Sequence, residues 1–353
     1  MDYLKHIKSK DLNIKNSKKV FQFNIGLAIL RPILSFLVVV THCYNHKFFQ
    51  GIFKLLYINS QQIHFHIRIF IIISFYFSYN TLVSNDYKKK IKRFERILIP
   101  YFLWPTIIYF FNKYLKIIFN VKRNITFTDL KKQFRIGNGF MFPLYFQWSL
   151  TFLNIFHILI IWLFRKHCIF ILIILSIISF NCQYNGVNVL YFIKYKMPLG
   201  RTIEFIPCSV IGFIISYLGI LNFFKQYKLK TIIVFIYICY LLIYYDIFIE
   251  IKGFGVCGFK MFIFSICIFI IFALFPSEKM KNKIILKIIK QLTNYTAGVY
   301  YMHFTVYYYT RYYIKSINQK TIKGCMIIYL ICYCFSLIGN FVFGRTLLRH
   351  LFI

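Results

Sequence analysis

Acidic residues are scarce in this sequence. Its 353 residues include 9 aspartates and glutamates against 44 lysines and arginines, which gives a formal net charge of +35 at pH 7. Such a charge is also found in proteins that bind nucleic acid. Here, however, the lysines cluster in short segments between long apolar runs, where positive charge sets the orientation of a membrane protein. We therefore expect no nucleic-acid partner.

A cysteine framework is also missing. The sequence has 10 cysteines, and most of them lie inside apolar runs, where they read as packing residues. Their spacing matches neither a disulfide scaffold nor the paired ligands of a zinc site. We therefore expect no metal cofactor.

The chain has no long polar stretch that a second soluble domain would occupy. Apolar runs of about twenty residues, the length that crosses roughly 30 Å of hydrocarbon, recur from end to end. The first 24 residues are rich in lysine and contain no apolar core of a cleavable signal peptide. The pattern predicts an all-α polytopic membrane protein with a retained basic tail.

Ten transmembrane spans are predicted, so the two termini share one side. Because most lysine clusters fall on the side of the N-terminus, that side is predicted to be cytoplasmic, although the basic loop at 120–142 is an exception. The predicted parts are a cytoplasmic tail (1–24), a transmembrane domain (25–344) and a short cytoplasmic C-terminus (345–353). The predicted spans are 25–46, 63–83, 97–119, 143–164, 168–189, 204–224, 231–250, 257–276, 293–314 and 323–344.

The first span contains two ionisable residues in the stretch "LRPILSFLVVVTHCYN", namely Arg31 and His42. Residues eleven apart on a helix are only about 20° out of line and about 16 Å apart along the axis, so the two side chains share one face. Ionisable groups at membrane depth are usually functional. The spacing alone leaves two interpretations open: a functional polar stripe, or an arginine that reaches the headgroups and a histidine that bonds a neighbouring helix.

A second basic motif follows the second span, in "KKKIKRFERILIPYFLWP". Arg93 and Arg96 are three residues apart and therefore lie on one helix face. Two guanidinium groups at the cytoplasmic surface offer paired donors to a phosphate. Ordinary positive-inside charge explains the lysines at 88–92 equally well.

Three further polar residues are candidates for accessory roles. His303, in "YYMHFTVYYY", is predicted either to orient His42 or contact an acceptor, or to be a core histidine bonded by tyrosines. Glu204 follows Arg201 by three residues, which favours an ion pair over catalysis. Ser74 is a possible donor to an oxyanion. The other histidines near span ends are predicted to be interfacial: His64, His66, His157 and His167.

Together, the R-x10-H of the first span, the R-x-x-R before "ILIPYFLWP" and the late "AGVYYMH" resemble the membrane-bound acyltransferase family 3, whose members O-acylate glycans and other cell-surface molecules. The resemblance implies that His42 is catalytic, that Arg31 is essential, and that Arg93 and Arg96 contact acyl-CoA. It implies acetyl-CoA as the donor, a glycan or lipid-linked glycan as the acceptor, and residence in the plasma (inner) membrane among lipids.

The chain departs from the family pattern in "IRIFIIISFYFSYN", where Phe75 stands at a position that is usually glycine. An aromatic ring there predicts altered helix packing or a narrowed site, and loss of activity is an alternative outcome. The rival function is a transporter or flippase of a polysaccharide or lipid-linked precursor. Such proteins usually carry inverted repeats with matching helix breaks, which we do not identify in the sequence.

Overall fold

The computed structural model describes residues 24–43, 65–119, 126–136, 145–184, 199–244, 259–275, 282–313, 321–344 and 346. This part of the chain is helical, with no strand. In chain order the α-helices are α1 (Ile25–Cys43), α2 (Phe65–Val83), α3 (Tyr87–Phe119), α4 (Phe127–Ile136), α5 (Tyr145–Phe164), α6 (Cys168–Tyr184), α7 (Leu199–Glu204), α8 (Ile206–Leu218), α9 (Ile220–Gln226), α10 (Lys228–Tyr244), α11 (Phe259–Ala273), α12 (Lys283–Asn294), α13 (Thr296–Tyr313) and α14 (Ile322–Phe343).

Helices α1 and α2 run antiparallel at the centre of the molecule. Arg31, near the start of α1, faces Phe77 near the end of α2. His42, at the end of α1, stacks on His303, which interacts electrostatically with His66 at the start of α2. The start of α1 therefore lies beside the end of α2, and the end of α1 lies near the start of α2.

Helices α12, α13 and α14 pack along α1. Thr293 donates a hydrogen bond to the carbonyl of Ala28, and His303 lies beside His42, so α13 runs parallel to α1. Helix α14 returns in the opposite direction, because Tyr329 contacts Ser35 and Asn340 bonds Tyr295. Helix α14 is therefore antiparallel to both α1 and α13.

Helices α5 and α6 form a hairpin around a 3₁₀ turn at Arg165–His167. Ser149 of α5 bonds Thr202, and Ser179 of α6 bonds the carbonyl of the next residue, Ile203. In one continuous helix these two serines would be about 45 Å apart. They meet at α7 because the chain reverses at Arg165, whose φ of 36° is left-handed.

Two glycines allow helices to touch backbone to backbone. A Cβ on Gly26 of α1 would overlap the carbonyl oxygen of Phe272 in α11, and one on Gly212 of α8 would overlap that of Ile72 in α2. Any other residue at either position would force the helices apart. These contacts place α8 and α11 directly against the central pair.

Length and composition identify four candidate membrane spans among the described residues, or five if a bent pair counts as one. The bent pair is interrupted at Gly219, where the helix axis turns by 64°. Helix Met261–Ala273 is apolar but shorter. The protein is therefore a helical membrane protein, whereas the ten spans and the cytoplasmic termini stay predictions. The four spans are Ile25–His42, Phe65–Val83, Tyr145–Cys182 and Ile322–Phe343, and the bent pair is Thr202–Leu218 with Ile220–Gln226. The third of these contains both arms of the α5–α6 hairpin and is counted once.

Two segments that were predicted as loops contain helices. Helix α4 lies in the 120–142 loop, starts with reciprocal hydrogen bonds between Thr126 and Asp129, and is held by Tyr101, whose hydroxyl donates to the carbonyls of Gln133 and Phe134. Helix α12 precedes the ninth predicted span. Some of its apolar residues form a face that packs on α1. The interpretation of its lysines as loop charge overlooked this helix.

Candidate functional site

Arg93 points into the helix bundle from the second turn of α3. Its Nε donates to Oδ1 of Asn154 in α5 at 2.5 Å, and one terminal nitrogen donates to Oγ of Ser74 in α2 at 3.0 Å. Its guanidinium carbon lies 5.8 Å from the centre of the Phe75 ring, within cation–π distance. The side chain thus ties three helices together while some of its five N–H donors stay uncommitted to these two partners.

Phe75 fills the space beneath this guanidinium. The side chain is fully buried, and its ring lies 4.4 Å from that of His157, centre to centre. A glycine at position 75 would leave this volume to other groups. The aromatic residue therefore packs between Arg93 and His157.

The prediction that His157 is interfacial is wrong, since its side chain is completely buried. Its Nδ1 lies 2.9 Å from the carbonyl oxygen of Leu153. A carbonyl only accepts, so Nδ1 carries the proton and Nε2 presents a lone pair, which has no hydrogen-bond partner within the described ranges. A predicted surface histidine is in fact a core group beside the Arg93 cluster.

Arg31 contacts the same segment of α2 as Arg93. It is half-buried, and its guanidinium carbon is 5.4 Å from the centre of the Phe77 ring. Ser74 and Phe77 are three residues apart and lie on one face of α2, so Arg31 and Arg93 contact neighbouring turns of the same helix. We call Arg31 and Arg93, together with Asn154, Phe75 and His157, the arginine end.

Pro32 connects Arg31 to a neighbouring helix. A proline has no N–H, so the carbonyl of Ala28 loses its usual helical hydrogen bond. Thr293 of α12 replaces it, with Oγ1 at 2.7 Å from that oxygen and at 2.8 Å from the Ile289 carbonyl oxygen, which shares the same hydroxyl proton. Burial of a free carbonyl is thereby avoided one turn before Arg31.

Arg96 differs from Arg93 although it lies one turn further along α3. Its side chain is exposed, and the preceding lysines at 88 and 89 are exposed too. The start of α3 is capped by Asp86, whose Oδ1 accepts from the backbone N–H of Lys88 at 3.0 Å. The R-x-x-R motif thus contributes one arginine to the interior and one to the surface.

The predicted catalytic histidine has a second imidazole beside it. The rings of His42 and His303 are stacked at 5.2 Å with an interplanar angle of 28°, and Phe304 meets His42 edge-on at 6.3 Å. His303 is completely buried, and its Nδ1 lies 2.7 Å from the carbonyl oxygen of Tyr300. Nδ1 therefore carries the proton, and Nε2 presents the lone pair.

His66, at the start of α2, is also buried and close enough to interact electrostatically with His303. It lies at the end of a candidate membrane span, as predicted, but it is packed inside the protein. We call His42, His66 and His303 the histidine end. It is separated from Arg31 by eleven residues of α1, or about 16 Å along the helix axis.

Ser74 and Glu204 lie apart from the histidine end. Ser74 accepts from Arg93 and is eight residues, or about 12 Å along α2, from His66. Glu204 is half-buried at the end of α7, beside Thr202, which bonds Ser149. The Arg201 side chain, the predicted partner of Glu204, lies outside the described residues. In the part of the chain that the structure describes, no three His, Cys, Asp or Glu side chains converge as metal ligands.

Sequence reasoning missed Asn154 and His157. The two residues are three apart in α5 and therefore share one face of an otherwise apolar helix. Two polar side chains on one face of a span are a signal that could have been used. Their partner Arg93 lies 61 residues earlier in the chain, so that pairing has no local signature.

One comparison with known proteins identifies the family of the chain. The family model Acyl_transf_3, described as an acyltransferase domain, matches residues 24–345. No curated protein and no solved structure matches the chain. The family match spans all the helices that carry the arginine end and the histidine end. The chain therefore belongs to acyltransferase family 3, and the protein is a membrane acyltransferase.

Proposed function

We propose that the protein transfers an acyl group, most simply acetyl, from cytoplasmic acyl-CoA to a hydroxyl of a glycan or another cell-surface acceptor. The observation that carries this proposal is the placement of two chemically different ends on the same pair of central helices. Arginines suited to phosphates lie at one end, and stacked imidazoles suited to proton transfer lie at the other.

The phosphates of acyl-CoA would bind at the arginine end. Arg93 is held in place by Asn154 and Ser74, so its remaining N–H donors are preorganised for an anion. Arg31 supplies a second cation one turn further along α2. Arg96, exposed on α3, would meet the nucleotide part of the donor first, at the protein surface.

The thioester would reach the histidine end through the pantetheine arm, which is thin and flexible. In the reaction, an imidazole nitrogen of His42 accepts the proton of the acceptor hydroxyl. The hydroxyl oxygen then forms a bond to the thioester carbonyl carbon, the carbon–sulfur bond breaks, and CoA leaves as a thiolate that takes the proton from His42. A transient acyl-imidazole on His42 is the second form of the same chemistry.

His303 is a positioning residue in this scheme. Its ring is fixed by burial and by the Tyr300 carbonyl, and it presents a flat surface to the His42 ring. This packing restricts the rotation of His42 and favours one orientation of its proton-accepting nitrogen. Ser74 supports Arg93 in this proposal and does not serve as the oxyanion donor. Glu204 has a structural role.

The proposed topology has ten spans, both termini in the cytoplasm and a location in the plasma (inner) membrane. The alternating directions of α1 with α2 and of α13 with α14 support it, and so does the hairpin of α5 and α6. With this orientation the arginine end lies toward the cytoplasm, where acyl-CoA is found, and the histidine end lies toward the outer half of the membrane.

The test of the proposal is direct acyl transfer by the purified full-length protein. The protein is incubated with isotopically labelled acetyl-CoA and a glycan fraction, and mass spectrometry searches for labelled ester. We expect a labelled glycan that the His42→Ala variant does not form. Movement of the glycan across a vesicle membrane without any labelled ester would contradict the proposal and favour the transporter.

A further inference from the structure

Helix α12 has three distinct faces. Leu286, Ile289 and Thr293 face α1, where they pack with residues of its first turns. A second face is apolar but exposed: Ile284 is 70% exposed and Ile288 is 50% exposed, with Ile285 beside them. The third face carries exposed lysines at positions 283, 287 and 290.

Helix α12 is capped at its start and is attached to α1 by the buried residues of its inner face. The Asn282 side chain caps its start by accepting from the backbone N–H groups of Ile284 and Ile285 at 2.9 and 3.3 Å. Near its end, Thr293 bonds the carbonyl of Ala28 that Pro32 leaves free. The orientation of the three faces relative to α1 is therefore determined by buried contacts.

The exposed isoleucine face of α12 suits an apolar environment, whereas its lysine face suits a polar or anionic one. With 100° of rotation per residue, the isoleucines are centred roughly 130–140° from the lysines around the helix. An apolar stripe beside a lysine stripe is the pattern of helices that lie flat in a membrane interface. The sequence has no acidic residue after Glu278, so no carboxylate on α12 competes with an external anion for these lysines.

We propose that α12 is an interfacial helix that binds anionic phospholipid headgroups at the arginine end of the protein. Ile284, Ile285 and Ile288 lie among the upper parts of the acyl chains, and Lys283, Lys287 and Lys290 contact headgroup phosphates. The proposal requires only that the protein is a membrane protein. It does not depend on the identity of the acyl donor or acceptor.

The depth of α12 can be measured on full-length protein in phosphatidylcholine vesicles. Tryptophan is introduced as Ile288→Trp or, on the lysine face, as Lys290→Trp, and its fluorescence above that of the parent protein is recorded with lipids brominated near the top of the acyl chains. We expect strong quenching at position 288 and much weaker quenching at 290. No quenching at 288 would overturn the proposal, because a protein partner or a second copy would then cover this face.

Anionic lipid binding is measured by native mass spectrometry of the full-length protein with phosphatidylglycerol. We expect the triple variant Lys283→Gln, Lys287→Gln, Lys290→Gln to lose about tenfold in phosphatidylglycerol affinity, since each lysine near a membrane surface attracts anionic lipid. The control variant carries Lys88→Gln, Lys92→Gln and Lys225→Gln, which remove the same charge from exposed sites on other helices. Equal losses in both variants would overturn a specific role for α12.

Discussion

At the residue scale, Arg93 and Arg96 have different surroundings although they are one helical turn apart. Arg93 donates hydrogen bonds to Asn154 and Ser74, whereas Arg96 is exposed. A lysine in place of Arg93 keeps the charge but cannot span both partners, because it lacks the planar fork. The consequences of the same substitution should therefore differ between the two positions.

We expect Arg93→Lys to raise the KM for acyl-CoA by the equivalent of about 1.5–3 kcal/mol, the range for hydrogen bonds to charged groups. Arg96→Lys should change the KM much less, because an exposed side chain gains little from a fixed geometry. Steady-state kinetics with varied acetyl-CoA measure both. A similar small effect at both positions would mean that the motif is only a topology signal.

The role of His42 as the proposed base is tested by comparing its alanine variant with that of a histidine far from the site. We expect His42→Ala to abolish labelled-product formation without loss of membrane insertion, since alanine is well tolerated in a membrane helix. The control is His167→Ala, an exposed histidine in the turn between α5 and α6. Product formation by the His42 variant at the parent rate would remove the central step of the mechanism.

His303 should act through His42 rather than on the substrate. We expect His303→Phe, which keeps a flat ring, to retain more of the parent kcat than His303→Ala, with little change of the KM for acetyl-CoA in either variant. The comparison separates ring packing from proton transfer. If phenylalanine were as damaging as alanine, the Nε2 lone pair and not the ring surface would be the functional feature.

At the scale of helices, the contacts that hold α1 near Arg31 depend on a few small groups. The Ala28 carbonyl relies on the Thr293 hydroxyl because Pro32 offers no N–H. Gly212 relies on having no side chain, because a Cβ would overlap the backbone of Ile72. The first contact fixes α12 on α1, and the second fixes α8 on α2.

We expect Thr293→Val to lower the free energy of unfolding by about 1–3 kcal/mol, because a buried carbonyl loses its hydrogen bond. Thermal unfolding of the purified protein in detergent measures the change. The control is Thr106→Val, since the Thr106 hydroxyl bonds only the Phe102 carbonyl of its own helix. Equal melting temperatures for the two variants would show that the Thr293 bond contributes nothing beyond a local contact.

At the scale of the whole molecule, the orientation in the membrane connects the two ends to their substrates. The lysine distribution predicts that Lys90 and Lys283 face the cytoplasm and that Lys132, in α4, faces outward. Cysteines introduced at these positions in a cysteine-free parent are labelled in intact cells with an impermeant reagent. We expect labelling only at 132. Labelling at 90 would reverse the orientation and separate Arg93 from cytoplasmic acyl-CoA.

The sequence by itself determined the class of the protein and the residues at the two ends of α1. Apolar runs of membrane length require helices whatever their neighbours are, because a backbone in hydrocarbon has to satisfy its hydrogen bonds internally. The spacing of Arg31 and His42 places them on one face by helix geometry alone. The motifs around them also identified the family that the comparison confirms.

Only the tertiary structure decided which side chains meet across helices. The partners Arg93 and Asn154, His42 and His303, and Thr293 and Ala28 lie far apart in the chain, and the direction in which each helix presents them depends on the packing of the whole bundle. A hydrophobic pattern records that a helix is buried in lipid or protein, but not which neighbour each face touches. For the same reason His157 was misjudged. Helix α12 is different, because its lysines at 283, 287 and 290 recur with a helical period that the interpretation as loop charge overlooked.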